Sequence, residues 1–509
     1  MVDHSSKNIK LGTIITYITQ FLSIGISFIY VPIMLGILGQ AEYGLYALVQ
    51  SIISYLQMSE MGIGTTATRY NSKYIAERDK EGQKSINGMF LVIYVAIAIG
   101  CSMIGAIIYY CLPFIYSNYS DSSVILIKKL FLIALFNLVI TFVFKIFDAI
   151  ILAYEKFVFV KILSLIQTIL GPVGMLLVLY MGSGSVGMLL VTTTISLIFG
   201  LVQMIYCFSN LGVSFQFKNF RKELFQTIMS FTFFVFLNSM AHQLFSNSDK
   251  IIVSILMTET AVAVYAIVLQ FDIYFYNFTN VISGFYLPRF TKMVSQYKGM
   301  SKEIMDEMVR TGRIQLIIAG LIFGGFIAIG EPFIVCWVGS DYSEVYFLTI
   351  VLFAAKFIAS AQSMFNSLMQ AMNLHKMRAV IGVGMAILKV LMTIVFVNNL
   401  GLYGCVIAYI IVYFLRLLVY NWYYKKRVGI DVGFFWKKTL SVIIPICILI
   451  VILGILFRMT LNTISIINYF TIIISVCIYS IAYIAIMWIT VFNNYEKEML
   501  KKAIRKVKK

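Results

Sequence analysis

Lys250, Lys356, Lys389 and Arg416 each interrupt an otherwise apolar stretch of this chain. A Lys or Arg at the centre of a bilayer costs about 2.5 to 3.5 kcal/mol on the insertion scale, so cations kept at such places serve to pair with acids or to hold an anion. Acids interrupt similar stretches: Glu60, Asp148, Asp249 and Asp272. Asp148 follows Lys145 by three residues and can pair with it on one helix face. Asp249 and Lys250 are adjacent, which turns them roughly 100° apart on a helix, so neither needs the other as its partner. Asp272 has no basic neighbour in its own stretch and is a candidate proton or cation site; the alternative is that it neutralises a Lys of another helix. His242 precedes Asp249 on the same stretch and is a candidate member of a proton relay, or else a satisfied hydrogen-bond partner.

Two further features belong with these charges. Arg69 stands at the inner end of an apolar stretch, where an arriving anionic headgroup would first be met and where orientation in a membrane also calls for base. Gly171-Pro172 lies within another stretch, where the proline removes a backbone donor; the kink this predicts is either a hinge or a fixed bend. Lys145 and Lys161 sit close enough to one membrane face to snorkel.

These residues need helices to carry them. The chain has 509 residues, 61% hydrophobic and 12% charged, with a mean hydropathy of +0.91. That composition predicts an all-α integral membrane protein. The apolar stretches are about 20 residues or longer, enough for a helix to cross a core of about 30 Å and too long for barrel strands. About fourteen spans are predicted: residues 11–37, 43–67, 88–112, 124–151, 156–180, 185–208, 226–257, 261–286, 313–335, 345–371, 377–397, 401–423, 439–458 and 466–491. Lys and Arg crowd into alternate connections, at 69–84, 218–222, 289–313, 376–378, 425–438 and from 497 onward, whereas 113–121, 336–344 and 398–400 hold none. The positive-inside rule then predicts both termini in the cytoplasm, with Lys128 and Lys129 as exceptions. The first span is too long for a signal-peptide core and no cleavage site follows it, so it is expected to stay.

The net charge of +18 fringes the membrane, where it faces anionic lipid headgroups, and nucleic acid is not an expected partner. The odd count of seven cysteines, mostly within apolar stretches, reads as packing rather than a disulfide framework. No GxxxxGK[ST] or HExxH motif is present and there are three histidines, His4, His242 and His375. ATP hydrolysis and zinc catalysis are therefore not expected, and no cofactor is predicted. Connecting loops of about 25 residues at most are too short to fold as a catalytic domain, which argues against an enzyme.

A repeat underlies the ladder. Residues 30–49 align with 249–268, with Tyr46-Ala47-Leu48-Val49 matching Tyr265-Ala266-Ile267-Val268, and Gly184 and Gly187 correspond to Gly401 and Gly404. This predicts two six-helix lobes, 1–210 and 211–425, followed by two further helices and a basic tail at 426–509. It also moves Asn247-Ser248-Asp249-Lys250, which by composition resembles an external loop, into the seventh span, with the outer turn at 258–260.

The stretch LGQAEYGLYALVQSIISYLQMSEMGIGTTATRYNSKYIAERDKE resembles the N-terminal signature of the polysaccharide transporters, the O-antigen-type (Wzx-like) flippases of the multidrug/oligosaccharidyl-lipid/polysaccharide exporter superfamily. Further matches are Asp249-Lys250, Leu287-Pro288, Glu331-Pro332-Phe333 and Trp337-Val338-Gly339. The resemblance implies a fourteen-helix, two-lobed transporter of the bacterial plasma membrane. It implies as cargo undecaprenyl-diphosphate-linked oligosaccharides moved by alternating access, with polymerases and glycosyltransferases as pathway partners. A cationic cavity of Arg69, Lys250, Lys356, Lys389 and Arg416 would then meet diphosphate and glycan, and Asp249, Asp272 and His242 are the ion-coupling candidates. A drug/cation antiporter of the same superfamily is the nearest alternative, and a membrane glycosyltransferase or polymerase a more distant one.

Overall fold

Apolar stretches placed in a medium without water must satisfy every backbone donor internally, and helices do so within one segment. The computed structural model describes residues 2–60, 62–217, 222–280, 283–297, 299–372, 374–462 and 468–498, and among them there is no strand. The helices are α1 (Val2–Gln57), α2 (Ile63–Glu77), α3 (Lys80–Ile115), α4 (Asp121–Ala153), α5 (Phe157–Tyr180), α6 (Gly184–Ser209), α7 (Lys222–Leu256) and α8 (Glu259–Asn280). They continue as α9 (Ser283–Tyr297), α10 (Lys302–Val338), α11 (Glu344–Ser360), α12 (Met364–Ala371), α13 (His375–Leu400), α14 (Leu402–Tyr423), α15 (Val432–Asn462) and α16 (Tyr469–Thr490). Among the described residues, twelve runs are long and apolar enough to cross a membrane. Two of the predicted spans, 11–37 and 43–67, fall in one such run, Ile18–Glu77, in which α1 is kinked at Gly39, at φ 75° and ψ 170°, and ends at Gln57. The chain clusters into two compact units, Met1–Ala263 and Val264–Lys509. That division by contact falls later than the lobe boundary at 210 expected from the repeat.

Among the described residues, two predicted spans are interrupted. The second ends as a regular helix at Gln57, tightens into a 3₁₀ turn at Met58–Glu60, and restarts as α2 after Gly62, whose φ of 70° suits a residue without Cβ. The tenth is divided at 361–363 into α11 and α12. Helices α2 and α9 are each 15 residues long. The alignment of 46–49 with 265–268, continued, sets Tyr70 of α2 opposite Arg289 of α9, one residue from Arg69. The seventh span runs as expected: α7 carries 247–250 as helix, and the turn follows at Met257 and Thr258, where the Thr258 hydroxyl accepts from Ala261 N–H at 3.3 Å.

The EYG of the signature stretch is structural. Glu42 Oε1 accepts hydrogen bonds from the backbone N–H and hydroxyl of Ser185, both at 2.6 Å, and so caps the start of α6, where the helix dipole favours negative charge. Gly44 lets α1 touch the first turn of α8: a Cβ there would lie 1.9 Å from the Glu259 carbonyl oxygen. In the second unit, α15 and α16 pack on α10, with the Tyr483 hydroxyl donating to the Ile317 carbonyl at 3.1 Å and Gly320 and Gly324 making room for Tyr483 and Tyr479. The opposite faces of α15 and α16 present Ile448, Ile455, Ile473 and Ile481, apolar surface suited to lipid.

Overpacking at a helix contact costs about 1 to 3 kcal/mol. Gly44→Ala should therefore lower the thermal unfolding temperature of the purified protein in detergent, whereas Gly36→Ala, with nothing within 4 Å of its Cβ position, should leave it unchanged.

Candidate functional site

Helix α14 presents Tyr409, Tyr413 and Arg416 at spacings of four and three, which places them on one helix face. The two tyrosine rings stack at 5.3 Å with an interplanar angle of 16°. Three cations gather on these rings. Lys356 of α11 lies with Nζ 5.9 Å from the Tyr409 ring and 5.9 Å from that of Tyr276. Lys389 of α13 approaches the Tyr409 ring at 5.8 Å, and the Arg416 guanidinium lies 4.6 Å from Tyr413. A ring face offers an ammonium partial electrostatic compensation without neutralising it, and the effect grows where water is excluded.

The fourth charge is Asp272 of α8, whose carboxylate forms an ion pair with Lys356. Of the two alternatives left open by the sequence, pairing with a lysine of another helix is the one the structure contains. Both side chains retain limited exposure, 14% for Lys356 and 15% for Asp272. Lys389 is fully buried, as is Thr393 one turn along α13. At the far end of α14, Asn421 accepts a hydrogen bond from Gln362 at 2.6 Å, which ties α14 to the segment that divides α11 from α12.

The remaining candidates belong to the first unit. On α7, Asp249 is 1% exposed, Lys250 is half-buried and His242 is exposed. The contrast between Asp249 and Lys250 is that of neighbours turned apart around a helix. Arg69 is exposed on α2. Gly171 and Pro172 lie inside α5, which remains one helix from Phe157 to Tyr180. Asp148 accepts a hydrogen bond from Gln203 of α6 at 3.4 Å, and Lys145 and Lys161 lie within electrostatic reach of it.

Sequence reasoning missed Tyr409, Tyr413 and Arg289. The Tyr-x₃-Tyr-x₂-Arg spacing of α14 was a readable signal for the first two. Arg289 donates to Glu307 of α10 at 3.0 Å, and Glu307 is 4% exposed and also lies 3.9 Å from Arg310.

The arrangement has the means to hold a compact anion: three cations lie on an aromatic platform, and the Asp272 carboxylate pairs with Lys356. Residues 9–294 match the profile of a family described as polysaccharide biosynthesis protein. The chain belongs to this family. Its ladder of apolar helices is that of a multi-pass membrane protein, and its fold is similar to that of transporters and flippases. The lipid II flippase MurJ in an inward closed conformation is similar over 94% of this chain and 98% of its own, at 15% identity and a TM-score of 0.68. A multidrug resistance transporter of the superfamily in an inward-facing conformation is similar over 81% and 94% of the two chains, at 13% identity and a TM-score of 0.61. A superfamily transporter from Pyrococcus furiosus, described as having a binding pocket of reverse polarity, covers 81% and 93% at 14% identity and a TM-score of 0.50. No curated protein matches the chain in sequence.

Exposed cation–π contacts are worth about 0.5 to 1 kcal/mol and desolvated ones about 2. Tyr409→Leu removes the ring shared by Lys356 and Lys389 and should destabilise the purified protein on that scale, while Tyr409→Phe, which keeps the ring face, should retain most of the stability in the same melt.

Proposed function

We propose that the protein flips undecaprenyl-diphosphate-linked glycan repeat units from the cytoplasmic to the outer leaflet of a bacterial plasma membrane, for surface polysaccharide synthesis. The observation that carries this reading is the gathering of Lys356, Lys389 and Arg416 on the tyrosines of α14. A drug/cation antiporter needs acids to attract its cargo, whereas here three cations gather on tyrosine faces, as suits a diphosphate. In the resting state Asp272 occupies Lys356. An arriving diphosphate displaces Asp272 from Lys356, which frees that carboxylate to take a proton or cation. The sugars pack against tyrosine faces and the polyprenyl chain stays in lipid.

Arg69 and Lys250 extend the cationic path in the first unit, with Arg69 receiving the headgroup at the cytoplasmic side. Asp249 and His242 serve coupling alongside Asp272. Gly171 and Pro172 are the hinge about which the lobes rock, and the division into 1–210, 211–425 and 426–509 describes the moving parts. Both termini face the cytoplasm. Glycosyltransferases supply the lipid-linked unit, and a polymerase consumes it.

Lys356→Ala or Lys389→Ala should abolish surface polysaccharide in cells that depend on this protein, with membrane insertion and expression retained by immunoblot. Normal polymer with both variants removes the cations from the transport path. Lost drug resistance with normal polymer would favour the antiporter.

A further inference from the structure

The acid at the break in the second span has no assigned task. Glu60 lies in the 3₁₀ turn that ends α1, and it makes no ion pair among the described residues. The end of a helix leaves its last carbonyls without intrahelical donors and carries the negative pole of the dipole. A carboxylate added at that pole, within an apolar bundle, requires a positive charge close by. One of those carbonyls, Leu56, is met by the Cys101 thiol, a weak donor at 3.7 Å, which leaves the local charge unbalanced.

A second observation points into the same place. The Tyr94 hydroxyl of α3 is fully buried and has no hydrogen-bond partner. It faces Glu60 across Gly64: a Cβ on that glycine would lie 2.9 Å from Glu60 Oε1 and 3.3 Å from the Tyr94 oxygen. Gly64 therefore brings a carboxylate and a phenolic oxygen to the same point, at the C-terminal end of a helix. The neighbouring charges are already engaged. Asp148 of α4 lies within electrostatic reach of Tyr94 but is held by Gln203 and flanked by Lys145 and Lys161. No cation of the protein fills the corresponding role for Glu60 among the described residues.

We infer that Glu60 and the Tyr94 hydroxyl, at the turn that ends α1, form a binding site for a monovalent cation of the sodium type. Oxygen ligands without nitrogen or sulfur suit a hard ion, and one carboxylate balances one positive charge. The position is the break between α1 and α2, so occupancy bears on how the two segments meet. An interrupted helix whose freed carbonyls hold an ion is a general device for joining ion binding to movement in a membrane. The site lies in the first unit and is separate from the cations of α11, α13 and α14, so it stands or falls independently of the anion reading.

The test uses the full-length protein purified in detergent. Binding of radioactive sodium is measured by scintillation proximity, and thermal unfolding is followed in sodium chloride and in choline chloride of equal ionic strength. Wild type should bind sodium and melt higher in it than in choline. Glu60→Gln should weaken sodium binding by at least about tenfold. Gly64→Ala, which adds a methyl group at that point without altering any charge, and Tyr94→Phe, which removes only an oxygen, should each reduce binding and the sodium-dependent shift in melting. Should Glu60→Gln fail to fold, the latter two variants still decide the matter. Equal melting in the two salts, sodium binding unchanged in Gly64→Ala and Tyr94→Phe, or a dependence on pH with none on sodium would each overturn the site.

Discussion

A charge inside hydrocarbon must find an opposite charge, a ring face or water, and this constraint shapes the second unit around Lys356. Asp272 neutralises it and the Tyr409 ring lies beside it. Tyr409 in turn serves Lys389, which is fully buried, and stacks on Tyr413, beside which Arg416 lies. Four helices, α8, α11, α13 and α14, thus supply one group of interacting side chains. Replacing a single member alters the electrostatic environment of the rest, so their effects on stability and transport should be coupled and not additive.

The ladder of spans was legible because hydropathy and the distribution of base report directly on burial in lipid. The repeat went further. Composition alone would have left Asn247 to Lys250 in an outer loop, yet α7 continues through them to Leu256. Breaks within spans were not legible, because Met58 to Glu60 and Ala361 to Ser363 are helix-compatible residues whose local geometry is set by neighbours. Lys356, Lys389 and Arg416 were found by the cost of placing them in an apolar stretch. Tyr409 and Tyr413 were not, since tyrosines are common in such stretches and carry no comparable penalty; their role depends on which residues of α11 and α13 pack beside α14.

The interruptions give the chemistry its places. Glu60 sits in the turn that ends α1, and Lys356 lies one turn before α11 ends at Ser360. Where a membrane helix stops inside protein, backbone carbonyls and donors become available to side chains and ions at no cost in exposed polar surface to lipid. At the first of these breaks Gly62 takes a left-handed conformation, and Gly64 lies close to both Glu60 and Tyr94. Membership of the polysaccharide biosynthesis family accords with this division between a lipid-facing exterior and a charged interior.

The central claim is that buried cations read the diphosphate of a lipid carrier. The most direct measurement compares binding of a polyprenyl diphosphate with that of the corresponding polyprenol by native mass spectrometry of the purified protein, at several ionic strengths. The account predicts a clear preference for the diphosphate that largely disappears in a Lys356→Met, Lys389→Met double variant. Equal binding of the two lipids by the native protein, or a preference that survives both substitutions, would contradict it.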